Sequence, residues 1–189
     1  MIVRIIILPF SFLKLLLKTI GKNDNLLDIG CGFGITSLYI KFKGLNNKIL
    51  GLDISGDRIN KLNEVVKNDQ NISFIKRDLI SDGFSGLEGY NTAILVDLLH
   101  HIDEKTQSDL LSHLSQNVST IIVKDIDIFP KYKFYWNYFH DRYLMNNKLL
   151  CFLGSKKVIL LLQQYGYDVE YKKIFSIFPY PHYLLIAKK

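Results

Sequence analysis

Short apolar runs alternate with longer stretches of mixed polarity along most of the chain. The last two strand-like runs, over residues 167–174 and 182–189, are joined by a proline-interrupted stretch and can pair as a hairpin. Strands that alternate with helical segments are typical of a parallel sheet covered by helices on both faces. We therefore predict an α/β fold with a doubly wound, mostly parallel seven-stranded sheet and a C-terminal antiparallel hairpin. The five earlier strands are predicted over residues 26–29, 48–54, 71–76, 91–97 and 119–127.

Capping residues mark several of the helices between these strands. Ser55 and Asp103 precede segments with apolar residues at helical spacing, so each is expected to begin a helix. Ser155 is expected to open the segment SKKVILLLQQYG, and Gly166 lies where a helix of that length usually ends. No internal repeat or linker interrupts this order, which predicts one domain over residues 23–189.

Residues 1–22 form a separate apolar and basic segment. The run lacks a small-residue cleavage site, and its longest charge-free stretch, residues 5–13, is too short to span a bilayer. A helix over residues 10–22 would be apolar around most of its circumference. It can dock on the domain as an entry helix, or lie in a membrane interface through its wide apolar face. Its narrow polar stripe would consist of Ser11, Lys14, Lys18 and Lys22.

The composition is that of an ordinary globular protein. Of the 189 residues, 48% are hydrophobic and 22% are charged, which argues against disordered and fibrous classes. The net charge of +6 favours anionic partners without choosing among nucleic acid, anionic lipid and small acids. Two cysteines suggest no disulfide framework, so a cytoplasmic location is expected, with peripheral membrane association as an open alternative.

The stretch NLLDIGCGFGIT, residues 25–36, carries the most specific chemistry. Its glycines leave backbone to which a ligand could come close, at the predicted turn from a strand to a helix. Their spacing is G-x-G-x-G rather than the G-x-G-x-x-G of dinucleotide folds, and the Lys-Ser/Thr of a phosphate-binding P-loop is missing. Asp28 stands just before the glycines, where a carboxylate would repel a pyrophosphate but would suit a cationic ligand.

These residues resemble the class I S-adenosylmethionine (SAM)-dependent methyltransferases, from about Asn25 to the end of the chain. LLDIGCGFG is similar to the first motif of that family, LGLDIS to the second, FIKRD to the third and ILVDLLHHI to the fourth. The resemblance implies a Rossmann-like methyltransferase fold, with SAM as the cofactor. One departure is SQNVSTIIV, which lacks the usual Pro-Gly-Gly turn before the fifth strand.

The resemblance also implies which residues contact the cofactor. The glycine loop would line the methionine part of SAM, Asp53 would bind the ribose hydroxyls, and Asp78 would hold the adenine amino group. Asp97 and its neighbours would close over the methionine and face the methyl acceptor. Cys31 is interpreted as a small residue fitted between glycines, not as a nucleophile. The predicted cofactor residues are Asp28, Gly30, Cys31, Gly32, Gly34, Asp53, Ile54, Asp78, Leu79 and Asp97.

Candidate bases cluster after the fourth and fifth strands. Methyl transfer requires alignment of the acceptor, and it requires a base only if the acceptor holds a proton that it does not lose at neutral pH. We favour His101 as this base, with His140 and Asp125 as further catalytic candidates; bracing of the loop is the alternative role for His101. A metal site of Asp97, His100, Asp125 and His140 is disfavoured, because its residues come from separate strands without close ligand spacing.

The aromatic segment over residues 128–147 is the expected source of acceptor specificity. A helix there would carry a stripe of aromatic residues that packs on the sheet, lines an apolar pocket or faces a membrane. The predicted acceptor is therefore a small molecule or a lipid-like apolar compound, with a membrane surface contacted through residues 1–22 and 128–147. An RNA or DNA methyltransferase, which the net charge of +6 would suit, is the alternative among enzymes. Nucleic acid is disfavoured, because VDLLHH departs from the Asn/Asp-Pro-Pro-aromatic motif of base methylation and the lysines are spread along the chain. A non-catalytic SAM-binding module remains the alternative from another class.

Overall fold

Seven strands form one sheet in the computed structural model, which describes residues 10–79, 81–83, 85–139, 142–143, 150–174 and 180–189. The strands are β1 (Asn25–Ile29), β2 (Lys48–Asp53), β3 (Ile72–Lys76), β4 (Thr92–Val96), β5 (Thr120–Ile126), β6 (Asp168–Lys173) and β7 (His182–Lys188). The helices of the described residues are α1 (Phe10–Thr19), α2 (Ile35–Phe42), α3 (Gly56–Val66), α4 (Glu104–Asn117), α5 (Lys131–Phe139) and α6 (Gly154–Gln164). A 3-10 turn covers Leu99–His101.

The strand order is β3-β2-β1-β4-β5-β7-β6. The first five strands are parallel, while β7 pairs antiparallel with both β5 and β6. From β1 the chain proceeds outward to β2 and β3, and it then returns to β4 on the other side of β1. This reversal places a topological switch point between β1 and β4, where sheets of this kind bind ligands. The predicted fold class is confirmed, and each of the seven predicted strands is present.

The core lies on both faces of the sheet, because the strands are buried on each side. One cluster contains Leu110 and Leu114 of α4 together with Val158 and Leu162 of α6. The opposite cluster contains buried side chains of α1, α2 and α3. The near-continuous apolar character of β1 and β4 follows from this double coverage, since no face of either strand meets solvent.

Helix α1 belongs to the second of these clusters. Phe12, Leu13, Leu16 and Ile20 are buried against the sheet, while the polar side chains of Ser11, Lys14 and Lys18 are exposed. The wide apolar face that could have lain in a membrane interface is therefore occupied by the core over the described part of this helix. Residues 1–9 lie outside the described residues, and the helix ends at Thr19, before the predicted Lys22.

The capping predictions are partly confirmed. The Asp103 carboxylate accepts the Thr106 N–H, and Gly166 follows α6 with a φ of 84°. Ser55 occupies the N-cap of α3, although its side chain makes no capping hydrogen bond. Ser155 does not open α6, which begins one residue earlier; its hydroxyl instead donates to Asp127 at 2.7 Å. The competing partner across the loop explains this difference, because a hydroxyl bonded to Asp127 is not available as a cap.

The orientation of the aromatic helix α5 differs from one of the predictions. Its aromatic side chains were expected either to pack on the sheet or to form an outward patch, and most of them are more than 40% exposed. Asn137 is the buried residue of this helix, so the polar side faces inward. Packing of the aromatic face on the sheet is therefore wrong. The exposed aromatic residues are Phe129, Tyr132, Tyr135, Trp136, Tyr138, Phe139 and Tyr143.

Within the described part of the chain, the structure contains no helix that is both long and apolar enough to cross a membrane.

Candidate functional site

The turn after β1 depends on glycines, because its backbone adopts a conformation that other residues rarely reach. Gly30, Gly32 and Gly34 have φ angles of 69°, 57° and 66°. A Cβ atom at Gly30 would lie 2.8 Å from the Leu98 side chain, and one at Gly34 would lie 2.8 Å from the Leu62 side chain. Substitution at either position would therefore combine backbone strain with a steric clash. The turn stands at the switch point, where the absence of side chains lets a ligand come close to the backbone.

Asp53 ties this turn to the neighbouring strand. One oxygen of its carboxylate accepts the Gly32 N–H at 2.9 Å, and the other accepts the Ser55 N–H at 2.9 Å. The Arg58 guanidinium lies 3.5 Å away. A carboxylate has about four lone-pair positions, so Asp53 keeps acceptor capacity for two hydroxyl groups. Ile54 follows it with 68% of its surface exposed and offers an apolar surface at the same rim.

Asp28 lies beneath the turn and not on its rim. It is 2% exposed, and its carboxylate accepts a hydrogen bond from the Ser37 hydroxyl at 2.5 Å. Burial raises the pKa of this carboxyl to about 6; the hydrogen bonds from Ser37 oppose the rise, and the charge of Asp53 adds to it. Asp28 can therefore act on a ligand through its charge, while the rim supplies the direct contacts.

Cys31 lies between these two acids and is half-buried. Burial raises the pKa of its thiol well above the usual value, and the negative charges of Asp28 and Asp53 raise it further. The thiol is therefore protonated at neutral pH and lacks the thiolate character that a nucleophile needs. Its chemistry agrees with the interpretation of Cys31 as a small residue within the glycine turn.

The third predicted acid stands further along the same edge of the sheet. The pairing of β2 with β3 continues beyond both strands, because the Arg77 N–H donates to the Asp53 carbonyl at 2.9 Å. Asp78 follows Arg77 and is half-buried, and its own N–H donates to Asp82 at 2.9 Å. Leu79 packs on the core from this loop. The predicted cofactor residues after β1, β2 and β3 therefore line one continuous edge.

Asp97 follows β4 and is held by a lysine that the sequence analysis missed. The Lys124 ammonium donates to both carboxylate oxygens, at 2.6 and 2.7 Å, and the Lys124 side chain is fully buried. Burial alone would raise the pKa of Asp97, but the charge of Lys124 outweighs it and lowers the pKa to about 2. Asp97 is therefore ionised throughout the physiological range. A lone lysine inside the apolar run STIIVKDID was the available signal.

Asp125 reaches His100 and not the favoured candidate His101. The His100 Nδ1 lies 2.5 Å from the Asp125 carboxylate, and both side chains are buried. The Cys151 N–H donates to the His100 carbonyl at 2.9 Å, which joins the loop after β4 to the segment before α6. The half-buried His101 lies beside this pair, with its ring centroid 4.0 Å from that of His100. His140 lies outside the described residues.

Two phenylalanines connect the aromatic helix α5 to this histidine pair. The Phe152 ring stacks on the His100 ring with centroids 5.3 Å apart and an angle of 4° between planes. The Phe134 ring of α5 meets Phe152 edge-on at 5.1 Å. Helix α5 thus stands beside the carboxyl ends of β4 and β5. Its exposed aromatic side chains continue an apolar wall that begins at His100.

A metal site is not apparent in the part of the chain that the structure covers. No three His, Cys, Asp or Glu side chains there are arranged to hold a metal ion. Within the disfavoured metal set, Asp97 is bound by Lys124, whereas Asp125 and His100 bind each other.

Comparisons with known proteins add to this geometry. A family model described as a methyltransferase domain matches residues 7–172. No curated protein sequence matches the chain. A magnesium protoporphyrin IX methyltransferase, ChlM, from Synechocystis PCC 6803 with bound SAH is similar in structure, with 19% identity and a TM-score of 0.69 over 95% of this chain and 80% of that chain.

Two further solved structures have a similar fold at similar length. The methyltransferase domain of bacterial CtHen1-CN shares 21% identity, with a TM-score of 0.70 over 95% of this chain and 96% of that chain. A SAM-dependent methyltransferase from Archaeoglobus fulgidus shares 18% identity, with a TM-score of 0.70 over 95% and 92% of the two chains. Because the sequence identities of these three structures are low, their similarity to this chain shows a shared fold.

The raised pKa of Asp28 predicts that this residue destabilises the folded chain at neutral pH. The folded state binds the proton more tightly than the unfolded state, so the free energy of unfolding falls as pH rises from about 4 to about 6 and then stays low. Asp28→Asn removes the buried charge while keeping an acceptor for Ser37. We expect the variant to be more stable than the wild type by roughly 1–3 kcal/mol at pH 8, with the difference nearly gone at pH 4.

Urea unfolding at both pH values measures this difference. Asp69→Asn is the matched control, because the pKa of exposed Asp69 is lowered by the Asn71 N–H and by Lys41. Its removal should change stability slightly and in the opposite direction. Equal stability of Asp28→Asn and wild type at pH 8 would contradict the assigned burial penalty.

Proposed function

This chain belongs to the class I SAM-dependent methyltransferases, and from that premise we propose that it transfers the methyl group of SAM to a small-molecule or lipid-like apolar acceptor. When bound, SAM supplies a methyl group that is already activated by its positive sulfur. The residues of the chain therefore have to bind SAM, orient the acceptor and exclude water.

The edge of the sheet offers a suitable set of contacts for SAM. The glycine turn borders its methionine part, and Asp53 accepts hydrogen bonds from the ribose hydroxyls. Ile54 and Leu79 border the adenine, with Asp78 as the acceptor for its amino group. The carboxylates along this edge favour a ligand that carries an ammonium and a sulfonium over an anionic nucleotide. This charge preference supports SAM as the cofactor.

The aromatic helix α5 is the observation that carries the choice of acceptor. Its link through Phe134 and Phe152 to His100 brings an apolar wall to the side of the cofactor residues. Apolar pockets with few polar groups are typical of sites for small organic ligands. An acceptor with a sizeable apolar part would bury this wall, whereas a nucleic acid would call for a surface with massed basic residues.

His101 remains our proposed base for an acceptor that carries a proton. Its neighbour His100 has its Nδ1 engaged by Asp125 and its carbonyl engaged by Cys151, so His100 serves as the brace of this loop. Asp125 consequently acts through His100 and is assigned a positioning role. His101 is less buried than His100. The two adjacent histidines therefore take different roles: His100 braces the loop, and His101 accepts the proton.

The exposed side of α5 is also a surface suited to a membrane interface. Tyrosine and tryptophan side chains combine an apolar body with a polar end, which suits the headgroup region. Exposed Lys131 and Arg142 supply positive charge beside them, and a positive rim favours anionic lipid. Lipid acceptors could then reach the site directly from the bilayer surface.

Incubation with methyl-labelled SAM and a cell extract tests the function. We expect label in a product that partitions into the organic phase, identified by mass spectrometry. His101→Ala should lower turnover by about 10²-fold or more while SAM affinity stays within roughly twofold. Label found only in RNA would reverse the choice of acceptor. SAM binding without turnover on any fraction would favour a non-catalytic module, and parallel losses of turnover and affinity in His101→Ala would assign His101 to bracing.

Asp53→Ala tests the cofactor contacts. We expect SAM binding to weaken by roughly 1–3 kcal/mol, because charge-assisted hydrogen bonds to the ribose are lost. Calorimetric titration with SAM measures this change. Asp57→Ala is the matched control, since Asp57 is an exposed acid at the start of α3 and should leave affinity unchanged. Equal affinity of Asp53→Ala and wild type would show that Asp53 does not contact the ribose.

Flotation with vesicles tests the membrane surface. Wild-type protein should float with vesicles of phosphatidylcholine and phosphatidylserine, less so with phosphatidylcholine alone, and less at high salt. The double variant Tyr135→Ser/Trp136→Ser should lower the vesicle-bound ratio by about tenfold, or ~1.4 kcal/mol. Phe42→Ser is the matched control, because Phe42 is 81% exposed on another helix. Equal flotation of the two variants would rule out α5 as the contact surface.

A further inference from the structure

A fully buried lysine stands beside Asp125 in a strand whose other buried residues are apolar. Lys124 is 0% exposed in β5, and the residues around it in that strand, Ile122, Val123 and Ile126, belong to the core. Removing an ammonium group from water is costly unless it is paired and hydrogen-bonded. An apolar residue at this position would fill the strand without that cost, and buried ion pairs are often no more stable than such replacements. Stability alone therefore gives no reason for the lysine.

Asp97, the partner of this lysine, is itself in a costly conformation. Among the described residues other than glycine, Asp97 is the one with a positive φ, which is 51°. Strained backbone of this kind persists where surrounding contacts hold it, and it occurs preferentially at functional sites. Lys124 holds Asp97 at two points: its carbonyl accepts the Asp97 N–H at 2.8 Å, and its ammonium binds the Asp97 carboxylate.

The buried ammonium of Lys124 and the strained backbone of Asp97 meet at the carboxyl end of β4, next to the switch point. The Lys124 side chain of this pair is fully buried, whereas 32% of the Asp97 side chain is exposed to solvent. A carboxylate that is held by a buried lysine and is partly exposed to solvent can present its negative charge to a ligand. Given the proposed function, the ligand at this position is SAM, whose methionine part carries positive charge.

We propose that Lys124 is a positioning residue of the SAM site, which acts through Asp97 by holding its carboxylate ionised and in the left-handed backbone conformation that presents it to the cationic methionine part of SAM. This inference rests on the proposed function, and it assigns a role to a residue that does not itself touch the cofactor.

The groups that face Asp97 allow the charge balance to be worked out. They are Lys124 from β5, His100 from the 3-10 turn and His182 from β7, with Asp125 also near His182. His182 is buried, and neither ring nitrogen has a hydrogen-bond partner among the described residues. Burial and the charge of Lys124 lower its pKa to about 3, so His182 is neutral above pH 4. Lys124 is therefore the largest counter-charge to Asp97; His100 adds a smaller one, and His182 does not replace Lys124.

Removing Lys124 should make SAM binding depend on the protonation of Asp97. Without its main counter-ion, the partly buried carboxyl takes up a proton at higher pH, because only the weaker influence of the neighbouring histidines then opposes the effect of burial on its pKa. We expect Lys124→Met to weaken SAM binding at least tenfold at pH 7, with the loss growing as pH falls from 8 to 5. Calorimetry with SAM across this range measures it. Asp28 titrates in every variant, so the difference from wild type isolates Asp97.

The double variant Lys124→Met/Asp97→Asn separates positioning from a merely structural role. It removes the unpaired carboxylate, so its unfolding midpoint should recover relative to the single variant, while SAM affinity stays at least tenfold below wild type and the difference does not vary with pH. Recovery of affinity together with stability would overturn the proposal. Lys172→Met is the matched control, because Lys172 pairs with Glu170 at 3.0 Å in β6, away from the site; it should leave SAM binding unchanged.

A measurement on the wild type covers the case in which Lys124→Met does not fold. SAH, the demethylated product, carries the same ammonium group, and its addition should shift the NMR signal of the Lys124 side-chain Cε. An unshifted signal at saturating SAH would overturn the inference while the proposed function stands. Wild-type protein that binds neither SAM nor SAH would remove both.

Discussion

The candidate site depends on one constraint: buried carboxylates at the ends of parallel strands each require a donor of their own. The carboxyl ends of β1, β2, β4 and β5 meet at one edge, and an acid stands at or near each of them. In a medium of low polarity these charges repel one another and lose hydration, so each is kept by a specific partner. The pairs are Asp28 with Ser37, Asp53 with Gly32 and Ser55, Asp97 with Lys124, and Asp125 with His100.

The nature of each partner decides what each acid can do. Burial leaves Asp28 with a raised pKa because its donors, the hydroxyl and backbone N–H of Ser37, are neutral, whereas the ammonium of Lys124 lowers the pKa of Asp97. Backbone N–H groups satisfy Asp53 and leave its remaining lone pairs open to a ligand. Asp125 is closed off by His100 and so supports the loop. Four chemically identical side chains thus have four different environments, and the difference comes from the donors.

Much of this arrangement could be predicted from the chain alone, because it is local. Apolar runs that end in an acid mark both the strand and its carboxyl end, so β1, β2 and β4 and their acids follow from the sequence pattern. The donors to these acids come mainly from elsewhere in the chain. Lys124 is 27 positions from Asp97, and which of His100 and His101 faces Asp125 is decided by a turn of three residues. Partners set by the pairing of distant strands leave little trace in local spacing.

Helix α5 shows a second limit of the same reasoning. Aromatic residues at helical spacing predict a helix, but spacing alone does not say which side faces the sheet. Here the anchor is Phe134, which reaches Phe152 and through it His100, while the buried side carries Asn137. Most of the aromatic surface is thereby left facing outward beside the site. A helix attached in this way places its exposed aromatic side chains near the histidines instead of against the sheet.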